Sequence, residues 1–275
     1  MGRVDAFFLP LAQGNRFCLL HAPAEGVAAR GAVVYVHPFA EEMNNSRRMA
    51  ALQSRAFAGA GWTVLQIDLL GCGDSSGDFA EAAWQRWVDD VVEAAAWLRV
   101  KTQRQPVLWG LRAGCLLSAR AAGLMQPAAD LILWQPVLSG KQFLQQFLRL
   151  KIASEIVAQA TGKRGGTREL HEKLVLGESV EVAGYSVSPG LALGMEAAEL
   201  ELPPEGTRIA WLEVRGSQDG DLSPASRARI EEWRHAGHQV DAHVAQGAAF
   251  WQMPDAGGCA ELIERTLDAV DAWPR

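Results

Sequence analysis

Short apolar runs alternate with longer stretches of helical period along most of this 275-residue chain. The runs GAVVYVHPF (31–39), WTVLQID (62–68), PVLWG (106–110) and DLILWQP (130–136) are nearly free of charge and rich in β-branched and aromatic residues. Continuous apolar character over so few residues predicts strands buried on both faces, not strands with one wet face. Between them, MAALQSRAFAGAG (49–61), WQRWVDDVVEAAAWLR (84–99) and GCLLSARAAGLM (114–125) repeat apolar residues every three to four positions, as helices do. Gly61 is the expected stop of the first. Strand, helix and strand in succession demand a parallel sheet with right-handed crossovers. The fold class is therefore α/β, with an early strand at CLLHAP (18–23).

The rhythm breaks after Pro136. Residues 137–205 hold a helix, KQFLQQFLRLKIASEIVAQA, a basic glycine-rich link, TGKRGGTR, and ESVEVAGYSVSPGLALGM, which reads as a short strand or hairpin followed by a helix. Alternation resumes with a strand at TRIAWLEVRG (207–216), a helix at PASRARIEEWRHAG (224–237), a strand at QVDAHVAQG (239–247) and a last helix near 257–272. The simplest organisation is one core, residues 1–136 and 206–275, with residues 137–205 inserted as a lid. Phe143, Leu144, Phe147 and Leu148 form one apolar stripe within that lid, and some of it is expected to line a pocket for an apolar chain.

Composition excludes several classes. Hydrophobic residues make up 49% and charged residues 21%, the balance of a globular protein. A net charge of −6 without a basic stripe speaks against nucleic-acid binding. No apolar run reaches the length of a membrane span, and MGRVDAFFLP is a poor signal peptide. Cys18, Cys72, Cys115 and Cys259 lack paired spacing and read as free thiols in a reducing, cytoplasmic setting. No histidine has metal-ligand spacing, so neither a metal nor another cofactor is expected.

In an open parallel sheet, ligands bind beyond the carboxyl ends of the strands. Those ends carry His37-Pro38-Phe39-Ala40-Glu41-Glu42, the turn DLLGCGDSSG (68–77), Gly110-Leu111-Arg112-Ala113-Gly114, SQDGDLSP with Asp219 and Asp221, and Gly247-Ala248-Ala249-Phe250-Trp251. The frame Gly-x-Z-x-Gly between a strand and a helix carries a serine nucleophile in one large enzyme class. Here Z is Arg112.

In type and order these loops resemble the α/β-hydrolase superfamily over nearly the whole chain. The combination HPFAEEMNNSRRM, QIDLLGCGDSSGDF, WGLRAG and FWQ is similar, more narrowly, to the type 2 hydrolases associated with the exosortase A system. That resemblance implies an α/β-hydrolase fold, ester or acyl hydrolysis, and partners in bacterial extracellular polysaccharide and protein sorting. It places Asp219, with Asp221 second, at the acid position, the 37–41 turn at an oxyanion hole, and a base about three residues after Gly247. Phe250 or Trp251 occupies that last position, and the permanently protonated Arg112 occupies the nucleophile's.

Two functions stay open. One is an enzyme with unorthodox catalytic groups drawn from Arg112, His37, Asp219 and Glu41. The other is a non-catalytic accessory module that holds an anionic, acyl or sugar ligand on Arg112 and the Ala113 amide at a helix N-terminus, with Phe39, Glu41, Leu111, Asp221, Phe250 and Trp251 around it. Arg112 could equally be closed in an ion pair with Glu41, Glu42 or Asp219.

Overall fold

The apolar runs become strands, and their alternate residues feed two separate cores. The computed structural model describes residues 2–157, 166–217, 220–253 and 257–273. In chain order it contains β1 (Arg3–Leu11), β2 (Gly14–Ala22), β3 (Gly31–Val36), α1 (Glu41–Gly59), β4 (Trp62–Ile67), a 3-10 turn (Phe79–Glu81), α2 (Trp84–Thr102), β5 (Pro106–Leu111), α3 (Gly114–Leu124), β6 (Leu131–Trp134), α4 (Gly140–Val157), α5 (Thr167–Val175), β7 (Val180–Val182), β8 (Tyr185–Val187), α6 (Pro189–Glu196), β9 (Arg208–Arg215), α7 (Pro224–His235), β10 (Gln239–Gln246) and α8 (Ala260–Asp271).

The main sheet has the order β1-β2-β4-β3-β5-β6-β9-β10. It is parallel from β4 to β10 and antiparallel at β1–β2 and β2–β4. Val34 and Val36 of β3 pack with α2, α3 and α7 on one face, whereas Val33 and Tyr35 pack with α1 and α8 on the other. This is the period of two that a strand imposes on its side chains.

Two elements differ from the sequence reading. β1 lies where no strand was expected, and β2 begins four residues before Cys18. The two form an edge hairpin in which β1 buries only Leu9, so it lacks the apolar signature of the central strands. α1 starts at Glu41, not near Met49. Its cap, Ala40, makes no side-chain hydrogen bond, and its buried face includes Ser46, Gln53 and Ser54. Neither the cap signal nor the apolar period is present over its first two turns.

Residues 137–205 leave the sheet after β6 and return at β9. They hold α4, α5, the β7–β8 hairpin and α6; α5 begins within what reads as a glycine-rich link. Phe147 and Phe143 of α4 stand edge-on to Phe39, at 4.9 and 6.0 Å between ring centroids. These contacts bring α4 over the carboxyl end of β3.

Candidate ligand site at the strand-helix elbow

β5 passes into α3 through a turn that only glycine allows at two points. A Cβ on Gly110 would sit 2.7 Å from the Cα and N of Cys115. One on Gly114 would sit 2.4 Å from the carbonyl oxygen of Val36 and 2.7 Å from that of His37. At the apex, Arg112 has φ +56°. The left-handed region costs a residue with a side chain roughly 1–2 kcal/mol. Ala40 (φ +51°) and Gln135 (φ +44°) share that conformation in the loops after β3 and β6. Three of the five non-glycine residues with positive φ among the described residues thus cluster at the carboxyl edge of three adjacent strands. Strain so concentrated is characteristic of functional sites.

The Arg112 side chain is only 16% exposed. Its Nε donates to Glu42 Oε1 at 3.1 Å. The guanidinium carbon lies 5.6 Å from the ring centroid of Trp251 and 5.7 Å from that of Phe143, so an aromatic ring flanks it from the core and another from α4. Among the described residues the two Nη groups have no hydrogen-bond partner. Arg112 borders a cavity of about 410 Å³ that Phe39, Glu41, Asn45, Phe147 and Gln252 also line, with Leu150 half-exposed beside it. That volume suits a small ligand. A second cavity, about 810 Å³, opens at the other end of the sheet beside Arg30, Trp62 and Trp273. It lies at the amino ends of the strands, away from the elbow and its strained backbone.

Among the described residues, two buried polar atoms at the elbow cavity have no hydrogen-bond partner, Glu42 Oε2 and Trp251 Nε1. Burial pushes the Glu42 carboxyl above its ordinary range, against the opposing charge and hydrogen bond of Arg112. The amides of Phe39 and Ala113, at adjoining strand ends, also carry no hydrogen bond among the described residues. The site therefore combines an open guanidinium, free amides and an apolar wall.

A family model described as serine aminopeptidase, S33, matches residues 27–189, more than half of the chain. The chain belongs to the serine aminopeptidase S33 family. No curated protein matches its sequence. Among solved structures, Est1E from Butyrivibrio proteoclasticus with bound ferulic acid aligns with a TM-score of 0.69 and 13% identity, covering 97% of this chain and 100% of its own. XC6422 from Xanthomonas campestris, an α/β serine hydrolase without a lid, aligns with a TM-score of 0.59 and 16% identity, over 98% and 95%. A thermostable carboxyl esterase from Bacillus coagulans, in complex with glycerol, gives 0.60 and 13%, over 89% and 90%. At these identities the likeness shows the fold, the α/β-hydrolase fold.

Within this S33-family frame, the sequence-predicted residues separate. Arg112, Phe39, Glu41 and Trp251 meet at the cavity, and Ala113 caps α3 beside it. Others do not reach it. Leu111 is a buried end of β5 in the core shared with α1 and α8. Phe250 is buried in that same core, edge-on to Trp134 at 6.1 Å, so Trp251 is the residue that faces the site. Asp221 is 88% exposed at its side chain and pairs with Arg227. Asp219 lies outside the described residues.

His37 is fixed in place and does not face the cavity. Its Nδ1 donates to the carbonyl of Pro38 at 2.7 Å, and its Nε2 accepts the Leu69 amide at 3.2 Å. Both ring nitrogens of the neutral form are used, which leaves none for proton transfer. The thiols are equally withdrawn. All four are free and buried, and burial raises Cys115 and Cys72 above the ordinary thiol range. A cysteine nucleophile would need the opposite shift.

Sequence reasoning paid little heed to Asn45, Gln146 and Gln252. Starting α1 at Glu41 would have set Glu41 and Asn45, four apart, on one helical face.

Burial depresses the pKa of His37, and of His21. A histidine whose folded pKa is lowered binds its proton more readily in the unfolded chain, so it favours folding above about pH 6.5 and less so as pH falls through that value. Urea denaturation at pH 7.5 and pH 5.5 is expected to show lower stability at the lower pH. His37→Gln is expected to show a smaller difference between the two; an equal difference would remove His37 as a cause.

Proposed function

We propose that this protein is a ligand-binding member of its family, which holds an acyl or carboxylate ligand at the elbow and does not run serine hydrolysis. The observation that carries the reading is Arg112 itself. A positively charged side chain occupies the strained apex, braced by Glu42, Phe143 and Trp251, at the edge of an apolar-walled cavity, with no hydrogen-bond partner for its Nη groups among the described residues. A guanidinium stays protonated and cannot attack a carbonyl. It can grip a carboxylate through two parallel hydrogen bonds. The first aligned neighbour, Est1E, holds ferulic acid; an acid of that kind, with an apolar body and one carboxyl group, fits the chemistry of this cavity. Residues 137–205 act in this reading as the lid, with Tyr185 donating to Glu41 Oε2 at 3.0 Å as its tie to the core.

The family's hydrolytic chemistry is the second reading, favoured by the kinship with esterases. It lacks the serine and the histidine of the triad, and loss of either costs a worked triad on the order of 10⁶ in rate. A screen of p-nitrophenyl esters from acetate to laurate is expected to show no turnover above buffer. Arg112→Ser is expected to stay inactive, since no histidine follows β10. Turnover that Arg112→Ala abolishes would establish the enzyme. In the binding reading, octanoate at a hundredfold excess over Kd stabilises the wild type by about 2.7 kcal/mol, and Arg112→Ala loses that gain.

The narrower motif resemblance extends the proposal. An accessory role in a bacterial extracellular polysaccharide or protein-sorting system associated with exosortase A, played from the cytoplasm, accords with the four free thiols.

A further inference from the structure

We infer that the elbow cavity takes up a carboxylic acid together with one proton, so that the ligand carboxylate sits on Arg112 and the proton on Glu42. The inference rests on the ligand-binding reading and adds the charge state of what is bound.

Arg112 and ionised Glu42 make a neutral pair, and Arg112 is the cation that lines the cavity among the described residues. A carboxylate bound beside them brings a second negative charge into a space walled by Phe39, Phe143, Phe147 and Trp251. Two carboxylates that share one guanidinium in a low-dielectric pocket do not both remain ionised; one of them keeps a proton. Glu42 is the group placed to keep it. Its side chain is 18% exposed, and only Oε1 is engaged by Arg112. Oε2 is buried without a partner among the described residues. A proton on Oε2 gives that orphan atom something to donate, and a ligand oxygen held by the adjacent Nη groups is an acceptor for it. Burial already biases Glu42 toward the protonated form.

Among the described residues, the other ionisable groups around the cavity do not offer the proton another home. On α1, Glu41 is exposed to solvent, unlike Glu42, and its Oε2 accepts from Tyr185 and Asn44; Arg47 is paired with Asp68. On the β3–α1 loop, His37 is locked by two hydrogen bonds and disfavours the charged form. Tyr185, on β8, is pushed up to about 12 and keeps its own proton. Behind the elbow, burial holds Cys115 protonated. The cavity residues contributed by α4 (Phe143, Gln146, Phe147, Leu150) and by the loop after β10 (Trp251, Gln252) carry no titrating side chain.

The linkage has a definite sign. Binding raises the pKa of Glu42, so affinity is full below its free value and falls by about tenfold per pH unit between that value and the higher one in the complex, for one linked proton. A neutral ligand of the same shape carries no such dependence.

Isothermal titration calorimetry on the full chain tests this, with octanoate and octanamide as probes, in two buffers of unlike ionisation enthalpy at pH 7.5 and again from pH 6 to 8.5. The expected result is about one proton taken up per octanoate, none per octanamide, and a tenfold weaker octanoate Kd per pH unit. Glu42→Gln is expected to bind octanoate without proton uptake and without that slope. Octanoate bound by the wild type with no proton uptake overturns the inference and leaves the ligand site standing. So does octanamide binding in the absence of any octanoate binding at pH 6. If neither probe binds, the ligand-binding reading fails and the proton linkage falls with it.

Discussion

Asp90→Ala is expected to lower the unfolding free energy by about 3–5 kcal/mol, the cost of removing one partner from a buried ion pair. Asp90 lies on α2 with no exposed surface. Its Oδ2 accepts Arg16 Nε at 2.7 Å and the Leu70 amide at 3.0 Å, while Oδ1 accepts Arg16 Nη2 at 3.0 Å and Arg86 Nη2 at 2.7 Å. Arg16 is equally buried, on β2. Removing the carboxylate strands that guanidinium in the interior and frees the backbone of the 68–77 turn, whose Leu69 amide holds His37. Urea denaturation measures the loss. Asp90→Asn, which keeps hydrogen-bond acceptance but not the charge, should fall between wild type and alanine. A loss near the ~0–1 kcal/mol of an exposed pair would show that the cluster contributes little. The double variant Arg16→Met/Asp90→Leu should recover the part of the loss that comes from the stranded Arg16 guanidinium, since apolar replacement of a buried pair is often close to neutral, while Arg86 keeps Glu93 and the Leu70 amide stays without its acceptor.

The second large effect sits at the elbow. Gly114→Ala is expected to cost about 3 kcal/mol, the upper range for forcing extra atoms into packed structure. The new Cβ would press on the carbonyl oxygens of Val36 and His37, and both belong to backbone that cannot turn aside. Gly123 of the same helix provides the control. No atom lies within 4 Å of a Cβ built there, and Gly123→Ala should stabilise by about 0.5–1 kcal/mol through helix propensity and chain entropy. Opposite signs for two identical substitutions in one helix would tie the elbow glycine to close approach. Equal signs would refute that account. Octanoate binding should weaken with Gly114→Ala, because the elbow that aims Arg112 must shift.

Much of the fold is legible in the sequence because burial on both faces leaves an uninterrupted apolar run, and β3, β5 and β6 each have one, while β4 and β9 are interrupted only by Thr63, Gln66 and Glu213. β1 is not legible, since an edge strand with one buried side chain has no such run. The start of α1 is hidden because Ser46, Gln53 and Ser54 occupy its buried face. At the candidate site, Arg112, Phe39, Glu41 and Trp251 follow from their places after strands. Leu111, Phe250, Asp221 and His37 have similar places and do not reach the cavity. Their neighbours in sequence do not reveal which way a loop side chain turns, because loops carry no period.

By itself the sequence determined the alternation that makes a parallel sheet, the two glycines that make the elbow, and the arginine between them. Each is a local property, set by side-chain volume, backbone freedom or charge at one position. Only the tertiary structure decided what that arginine meets. Glu42 precedes it by 70 residues, and the two touch because β3 and β5 are adjacent in the sheet. Strand order comes from pairing across the whole sheet, and α4 arrives over the elbow only after the chain has left the sheet beyond β6. The contacts that brace Arg112 between Glu42, Phe143 and Trp251 therefore belong to the assembled molecule and not to any one stretch of chain.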